Sequence, residues 1–264
     1  MELWTADRKA GLLRAGKTLD ASPCLSLCAM GNRIFAAGMQ QGLCLEKERG
    51  ETLFSFPLPP DCGCLFPFGG QLCALSREAD CLCAFSPIDG RLCLSAPAGS
   101  YPRDACVSPC GKYAAVAGSA AGEVMVYDTS LHLLRRHRVP GSAVGVCFVP
   151  RGLAVLCAVG EESITSRLYL ISQRGVTEEV FAHPQPPLCL YAMDGGRLLM
   201  GVHGSLLHLS HTARLTGRTL CVCPGRIRKG NPGICFADPW QGGIYDLQGK
   251  KLSASPEPAD FLFQ

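Results

Sequence analysis

The sequence predicts an all-β fold built from a repeated four-stranded unit, and three observations carry that prediction. Short apolar runs recur along the whole chain, separated by turns rich in Gly, Pro, Asn and Asp. No helix of functional length interrupts them. A glycine that marks the first turn of each unit returns at Gly31, Gly70, Gly111, Gly152, Gly196 and Gly233, at spacings (by subtraction) of 39, 41, 41, 44 and 37. A period near 40 with four strands per unit is the signature of a β-propeller.

The clearest unit starts at Ala105, ACVSPCGKYAAVAGSAAGEVMVYD. Ala105 to Ser108 reads as a strand and Pro109-Cys110-Gly111-Lys112 as a turn. Tyr113 to Ala117 is a second strand, Ser119-Ala120-Ala121-Gly122 a second turn, and Glu123 to Asp128 a third strand. Leu131 to Val139 supplies a fourth, more polar strand. The same order begins at Cys24, Cys62, Val144 and Leu188, and more weakly in the TLCVCPGRIRKGNPG region.

The ends complete the pattern. ELWTADRKAGLLRA, from Glu2, reads as two outer strands with no inner strand before them. ADFLFQ, from Ala259 to Gln264, reads as an inner strand with no unit after it. Joining residues 1–22 to 258–264 makes a composite seventh blade and hides a sheet edge. Seven blades of four antiparallel strands are therefore expected, with six as the alternative. Residues 1–264 read as a single domain, because PLPPD at 57–61 and HPQPP at 183–187 fall between blades.

CVSPCGKYAAVAGSAAGEVMVYD resembles the YVTN-type and WD-repeat-like propeller unit, V-S-P-D-G-K followed by an alternating strand and G-x-V-x-V-x-D. Ser108, Pro109, Gly111, Lys112, Val124, Val126 and Asp128 match, and Cys110 replaces the usual Asp. The Gly-His and Trp-Asp dipeptides of strict WD repeats are missing. The resemblance implies the fold. Propellers of this kind include binding scaffolds, lactonases and quinoprotein-like dehydrogenase subunits, so it does not choose among functions.

Net charge is +3, apolar residues make up 47% and charged residues 18%. That composition excludes a disordered chain and does not by itself imply nucleic acid or membrane. No run of about 18 apolar residues suggests a transmembrane helix. The N-terminus lacks the apolar core of a signal peptide, so a cytoplasmic, monomeric protein is expected. The chain carries 17 cysteines, several as Cys-x-Cys and none as Cys-x-x-Cys. On a strand, Cys-x-Cys places both thiols on one face. They are expected to serve as small buried hydrophobes in a reducing compartment.

Sequence motifs for hydrolysis, zinc binding, phosphate binding and dinucleotide binding are missing, and no cofactor is expected. His208 and His211 fall on opposite faces of a strand, which argues against a shared metal. Asp61, Asp104 and Asp260, near the starts of first strands, are the candidate catalytic carboxylates of a lactonase-like, metal-dependent hydrolase. They could equally be loop acids that accept backbone amides. Arg135, Arg136 and Arg138, with His137, form one basic patch, and Arg226, Arg228 and Lys229 another. These are candidates for an anionic partner such as phospholipid, RNA or an acidic protein, without the interleaved aromatics that nucleic-acid stacking uses.

The turns between second and third strands offer a candidate protein-binding rim: Gln40, Gln41, Arg77, Glu78, Asp80, Glu161, Glu162, Ser163, His203, Trp240 and Gln241. Trp240 is the best anchor, since an exposed Trp gives much contact area at little entropic cost. The expected function is a non-catalytic scaffold presenting these loops to a protein partner. The hydrolase and the anionic-partner reading are the alternatives.

Overall fold

The computed structural model of the chain describes residues 2–231 and 233–263. Met1 and Gln264, the outermost residues assigned to the composite blade, lie outside the described residues, as does Pro232 in the GNPG turn. The chain is all-β: seven four-stranded antiparallel blades, each hydrogen-bonded in strand order. Blades 1 to 6 span residues 26–57, 62–97, 102–138, 142–183, 187–220 and 227–254. Blade 7 joins residues 3–20 to 258–263. The one helical element among the described residues is a 3-10 turn, Asp194–Gly196. Among the described residues no helix is long and apolar enough to cross a membrane.

Two compact units hold these blades. One runs up to Pro97 and resumes at Gly225, holding blades 6, 7, 1 and 2; the other, Ala98–Pro224, holds blades 3, 4 and 5.

The first-turn glycines mark the repeat for a steric reason. All six have positive φ, from 57° at Gly31 to 140° at Gly152. L residues with a side chain rarely adopt that region. At Gly152 a Cβ would also fall 2.0 Å from the Ile171 carbonyl oxygen, so only glycine fits.

Burial varies systematically across each blade. Second strands such as Arg33–Ala37, Gln71–Ser76 and Leu198–Val202 are buried along nearly their whole length. A strand covered on both faces reads as a continuous apolar run rather than an alternating one. Fourth strands such as Leu133–Arg138 and Leu92–Pro97 are mostly exposed, and they leave leucines such as Leu92 and Leu134 in solvent.

Facing sheets share apolar clusters. Trp4, Leu12, Leu27 and Ile34 close blade 7 on blade 1, and Phe35, Phe56, Leu65 and Phe85 close blade 1 on blade 2. In the other unit Val126, Val146 and Tyr169 join blades 3 and 4, and Leu156, Leu190 and Met200 join blades 4 and 5. Each fully buried Leu or Phe contributes about 1.5–3 kcal/mol.

The composite blade differs from expectation in one respect. The N-terminal segment supplies three strands, Leu3–Asp7, Gly11–Arg14 and Lys17–Asp20, rather than two. Lys17–Asp20 is exposed and polar and carries no apolar signal. Its identity comes from pairing, Leu12 with Asp20 and Leu13 with Thr18. Pro258–Phe263 completes the sheet, with Trp4 opposite Leu262 and Thr5 opposite Phe261.

All seventeen cysteines are free thiols, and most are buried. Cys73, Cys157 and Cys235 lie on second strands, where each is fully buried and packs as a small apolar side chain.

Candidate interaction site

The turn after the second strand of blade 6 is built to hold one residue outward. Gly233–Asp238 ends on Asp238, which is fully buried. Its Oδ1 accepts the backbone N–H groups of Trp240 at 3.1 Å and Gln241 at 3.0 Å. A carboxylate that takes two amides of its own loop fixes the loop as an Asx-type turn. Pro239 fixes one φ, and Gly242 supplies a positive φ of 64° before the third strand.

The turn rests on an aromatic base. The Tyr245 hydroxyl donates to the Gln241 carbonyl at 3.3 Å, and its ring stacks on Phe236 at 5.7 Å. Lys251 Nζ lies 5.8 Å over the Tyr245 ring and donates to the same carbonyl at 3.5 Å. Trp240 itself is 80% exposed. Its indole does not fold under its own loop, so a large apolar side chain stands in solvent on a fixed backbone.

Blade 7 repeats the device. Asp7 is fully buried, and its Oδ1 accepts Lys9 N at 2.8 Å and Ala10 N at 2.7 Å. Its Oδ2 accepts the Ser255 hydroxyl and Glu257 N. Burial pushes the Asp7 pKa up, but these four hydrogen bonds outweigh it and hold the carboxyl below the usual range. Sequence reasoning did not single out Asp7 or Asp238. The signal was present as A-D-x-x-x-G at 6–11 and again at 237–242.

The remaining rim residues divide. Gln40, Gln41, Glu78, Glu161, Glu162, Ser163, His203 and Gln241 are exposed on the turns where they were expected. Arg77 instead turns inward: its Nη2 pairs with Asp61 Oδ1 at 3.1 Å, and its buried Nε has no hydrogen-bond partner among the described residues. A candidate contact residue and a candidate catalytic acid are thus one internal ion pair.

The other acids serve contacts between blades. In five blades a β-bulge precedes the start of the first strand's regular pairing, and the residue after it is Cys64, Asp104, Gly145, Cys189 or Asp260. A bulge re-aims the side chain that follows it. Asp104 Oδ2 accepts Val146 N of the next blade at 3.2 Å. Asp260 Oδ2 accepts Leu27 N at 3.0 Å and the Ser26 hydroxyl at 2.9 Å. Burial raises the Asp260 pKa, but the guanidiniums of Arg228 and Arg226 lower it by more, so the carboxyl stays ionised.

The basic candidates divide in the same way. Arg228 makes a two-point contact with Asp260, and Arg226 Nε lies 3.8 Å from the same carboxylate, so both turn toward an internal acid; Lys229 is exposed. On the fourth strand of blade 3, Arg136 and Arg138 both lie 3.8 Å from Glu123, whereas Arg135 points to the opposite face and donates to the Gln173 carbonyl. His208 Nε2 contacts the Thr219 hydroxyl at 3.0 Å. Among the described residues, no group of three or more His, Cys, Asp or Glu side chains is placed to hold a metal ion.

No family model matches the chain, and no curated protein matches it in sequence. Solved structures are similar in fold. A candidate 6-phosphogluconolactonase from Bacteroides uniformis superposes with a TM-score of 0.77 at 13% identity, covering 100% of this chain and 99% of its own. A second, from Bacteroides fragilis, gives 0.74 at 12% identity over 100% and 97%. A streptogramin B lyase gives 0.69 at 16% identity over 89% and 83%. Likeness at these identities shows the β-propeller fold and nothing about activity.

Proposed function

We propose that the chain is a non-catalytic, single-domain propeller scaffold of the YVTN or WD-repeat-like kind, which binds a protein partner through the turns between second and third strands. The observation that carries this reading is Trp240, 80% exposed on a turn pinned by a buried aspartate. Exposed Trp on a rigid backbone is the residue type that most often anchors a protein interface. A monomer with no partner for that side chain would gain nothing from fixing it outward.

The hydrolase alternative draws on Asp61, Asp104 and Asp260. Each already accepts an internal ion pair or backbone amide, which is the arrangement of structural acids. Side-by-side affinity capture with the wild-type chain and W240S tests the scaffold reading. At least one protein retained by wild type and lost with W240S is expected. Hydrolysis of a sugar lactone by the purified protein, abolished by D61N or D104N, would replace the scaffold with the hydrolase.

A further inference from the structure

A groove of about 690 Å³ opens between the exposed edge of blade 3 and the face of blade 4. Tyr113, Leu134, Phe148 and Ile171 supply its apolar side, and Arg135, His137, Ser172 and Gln173 its polar side. Leu134 is 48% and Tyr113 41% exposed, so part of that apolar surface meets solvent. Arg135 and His137 line the same groove, and no carboxylate does. The volume lies within the range of about 300–1,000 Å³ that suits small organic ligands.

The charge sets this groove apart. The cleft between blades 7 and 1, 660 Å³, carries Asp20, and the one between blades 1 and 2, 540 Å³, sets Asp89 beside Arg91. The cavity between blades 4 and 5 also lacks a carboxylate, but at 160 Å³ it is far smaller. Only the blade 3–4 groove, among these, combines room and apolar side chains with a cation and no lining carboxylate.

The cation is positioned rather than loose. Arg135 Nη1 donates to the Gln173 carbonyl at 2.8 Å, which fixes the guanidinium across the groove. A guanidinium carries five N–H donors, so one such bond leaves the fork able to meet a carboxylate. Arg136 and Arg138 do not compete, since both turn toward Glu123 on the other face. Burial and the neighbouring Arg135 charge lower the His137 pKa, so near neutral pH its ring is an uncharged hydrogen-bonding group.

We propose that this groove binds an organic carboxylate with an extended apolar body. The body lies along Tyr113, Leu134 and Phe148, and the carboxylate meets Arg135. The apolar walls alone would favour any hydrophobe; the guanidinium selects the anion. The inference rests on this groove and is independent of the Trp240 turn.

Isothermal titration calorimetry with octanoate, 1-octanol and acetate tests it. One saturable site for octanoate is expected, with 1-octanol and acetate at least tenfold weaker. R135Q is expected to weaken octanoate at least tenfold and leave 1-octanol unchanged. L134D, at a half-exposed position that tolerates a polar side chain, is expected to weaken both. K17Q, on an edge strand of blade 7, is the control and leaves both unchanged. Octanoate binding no tighter than 1-octanol, or R135Q binding octanoate as well as wild type, overturns the proposal.

Discussion

Arg228 grips Asp260 with both edges of its guanidinium: Nε donates to Oδ1 at 3.0 Å and Nη2 to Oδ2 at 2.7 Å. The same Nη2 donates to the Leu27 carbonyl at 2.8 Å, and Oδ2 accepts Leu27 N and the Ser26 hydroxyl. Ser26 Oγ in turn accepts Leu65 N at 3.0 Å. One pair of residues therefore ties together the first strands of blades 6, 7, 1 and 2.

Removing the carboxylate is expected to be costly. D260A leaves Arg226 and Arg228 side by side without their anion, and strands the Leu27 amide and Ser26 hydroxyl. Breaking a buried pair from one side costs about 3–5 kcal/mol. Urea unfolding of D260A, read as a lowered midpoint at unchanged slope, is expected to show a loss at the lower end of that range, because Arg228 is partly exposed. The double variant R228M/D260L is expected to lose less than the sum of the two singles. A loss below about 1 kcal/mol for D260A would show the network to be dispensable.

On the acid side the pH dependence of stability has two parts with the same sign. Asp7 and Asp260 have folded pKa values below their unfolded ones. Their contribution is therefore complete above the unfolded value, about 4, and is lost as pH falls through the folded values. His137, His183 and His208 are lowered by burial, so the unfolded chain binds protons first as pH falls below about 6.5. Stability is expected to be level between about pH 7 and 8, to decline gently from about 6.5, and to fall steeply below about 4. H208Q, which keeps a partner for Thr219, is expected to reduce the first decline. Urea midpoints measured from pH 3 to 8 check both steps; an unchanged first step in H208Q and in the matching His137 and His183 variants rules out the histidine origin.

The two tryptophans report on separate features. Trp4 is fully buried between blades 7 and 1, with Arg14 5.3 Å above its ring, whereas Trp240 is 80% exposed. W240F is expected to leave a blue-shifted emission that acrylamide quenches poorly, and W4F a red-shifted one that it quenches efficiently. W240F is expected to change stability by no more than about 0.5 kcal/mol, as surface substitutions usually do. Weak quenching and blue-shifted emission in W4F would place Trp240 under cover and remove the basis for its role as an anchor.

What the sequence revealed follows the range of the forces involved. The first-turn glycines were legible because positive φ is a local demand met by one residue type. Glu123 to Asp128 was legible to the residue because its apolar run is bounded by turn residues at both ends. Lys17–Asp20 was not, since an edge strand owes its identity to a partner strand rather than to its own residues. Arg226 and Arg228 read as an anion-binding patch because their neutralising partner, Asp260, lies 32 residues from Arg228 in another blade. Arg77 and Asp61 meet only when the first two strands of blade 2 pair, so their ion pair has no linear signature either. The groove beside Arg135 joins residues of two blades and has no linear signature.

The cysteines separate by exposure, and their chemistry should follow. Cys110 is exposed, and the Ser108 hydroxyl, 3.3 Å away, together with the Lys112 amide lowers its pKa. Cys93 is also exposed. Burial pushes Cys24, Cys28, Cys73 and Cys157 up to about 12, which leaves them protonated at neutral pH. The thiolate is the reactive form, so depressed pKa and access act together at Cys110 and oppose reaction in the core. Brief treatment of the native protein with iodoacetamide, followed by peptide mass mapping, is expected to label Cys110 first and Cys93 second. C110S should remove the fastest phase without altering the urea midpoint. Early labelling of Cys73 or Cys157 would mean that the blades open readily, and the cysteines would then have to be read as accessible thiols rather than as packing residues.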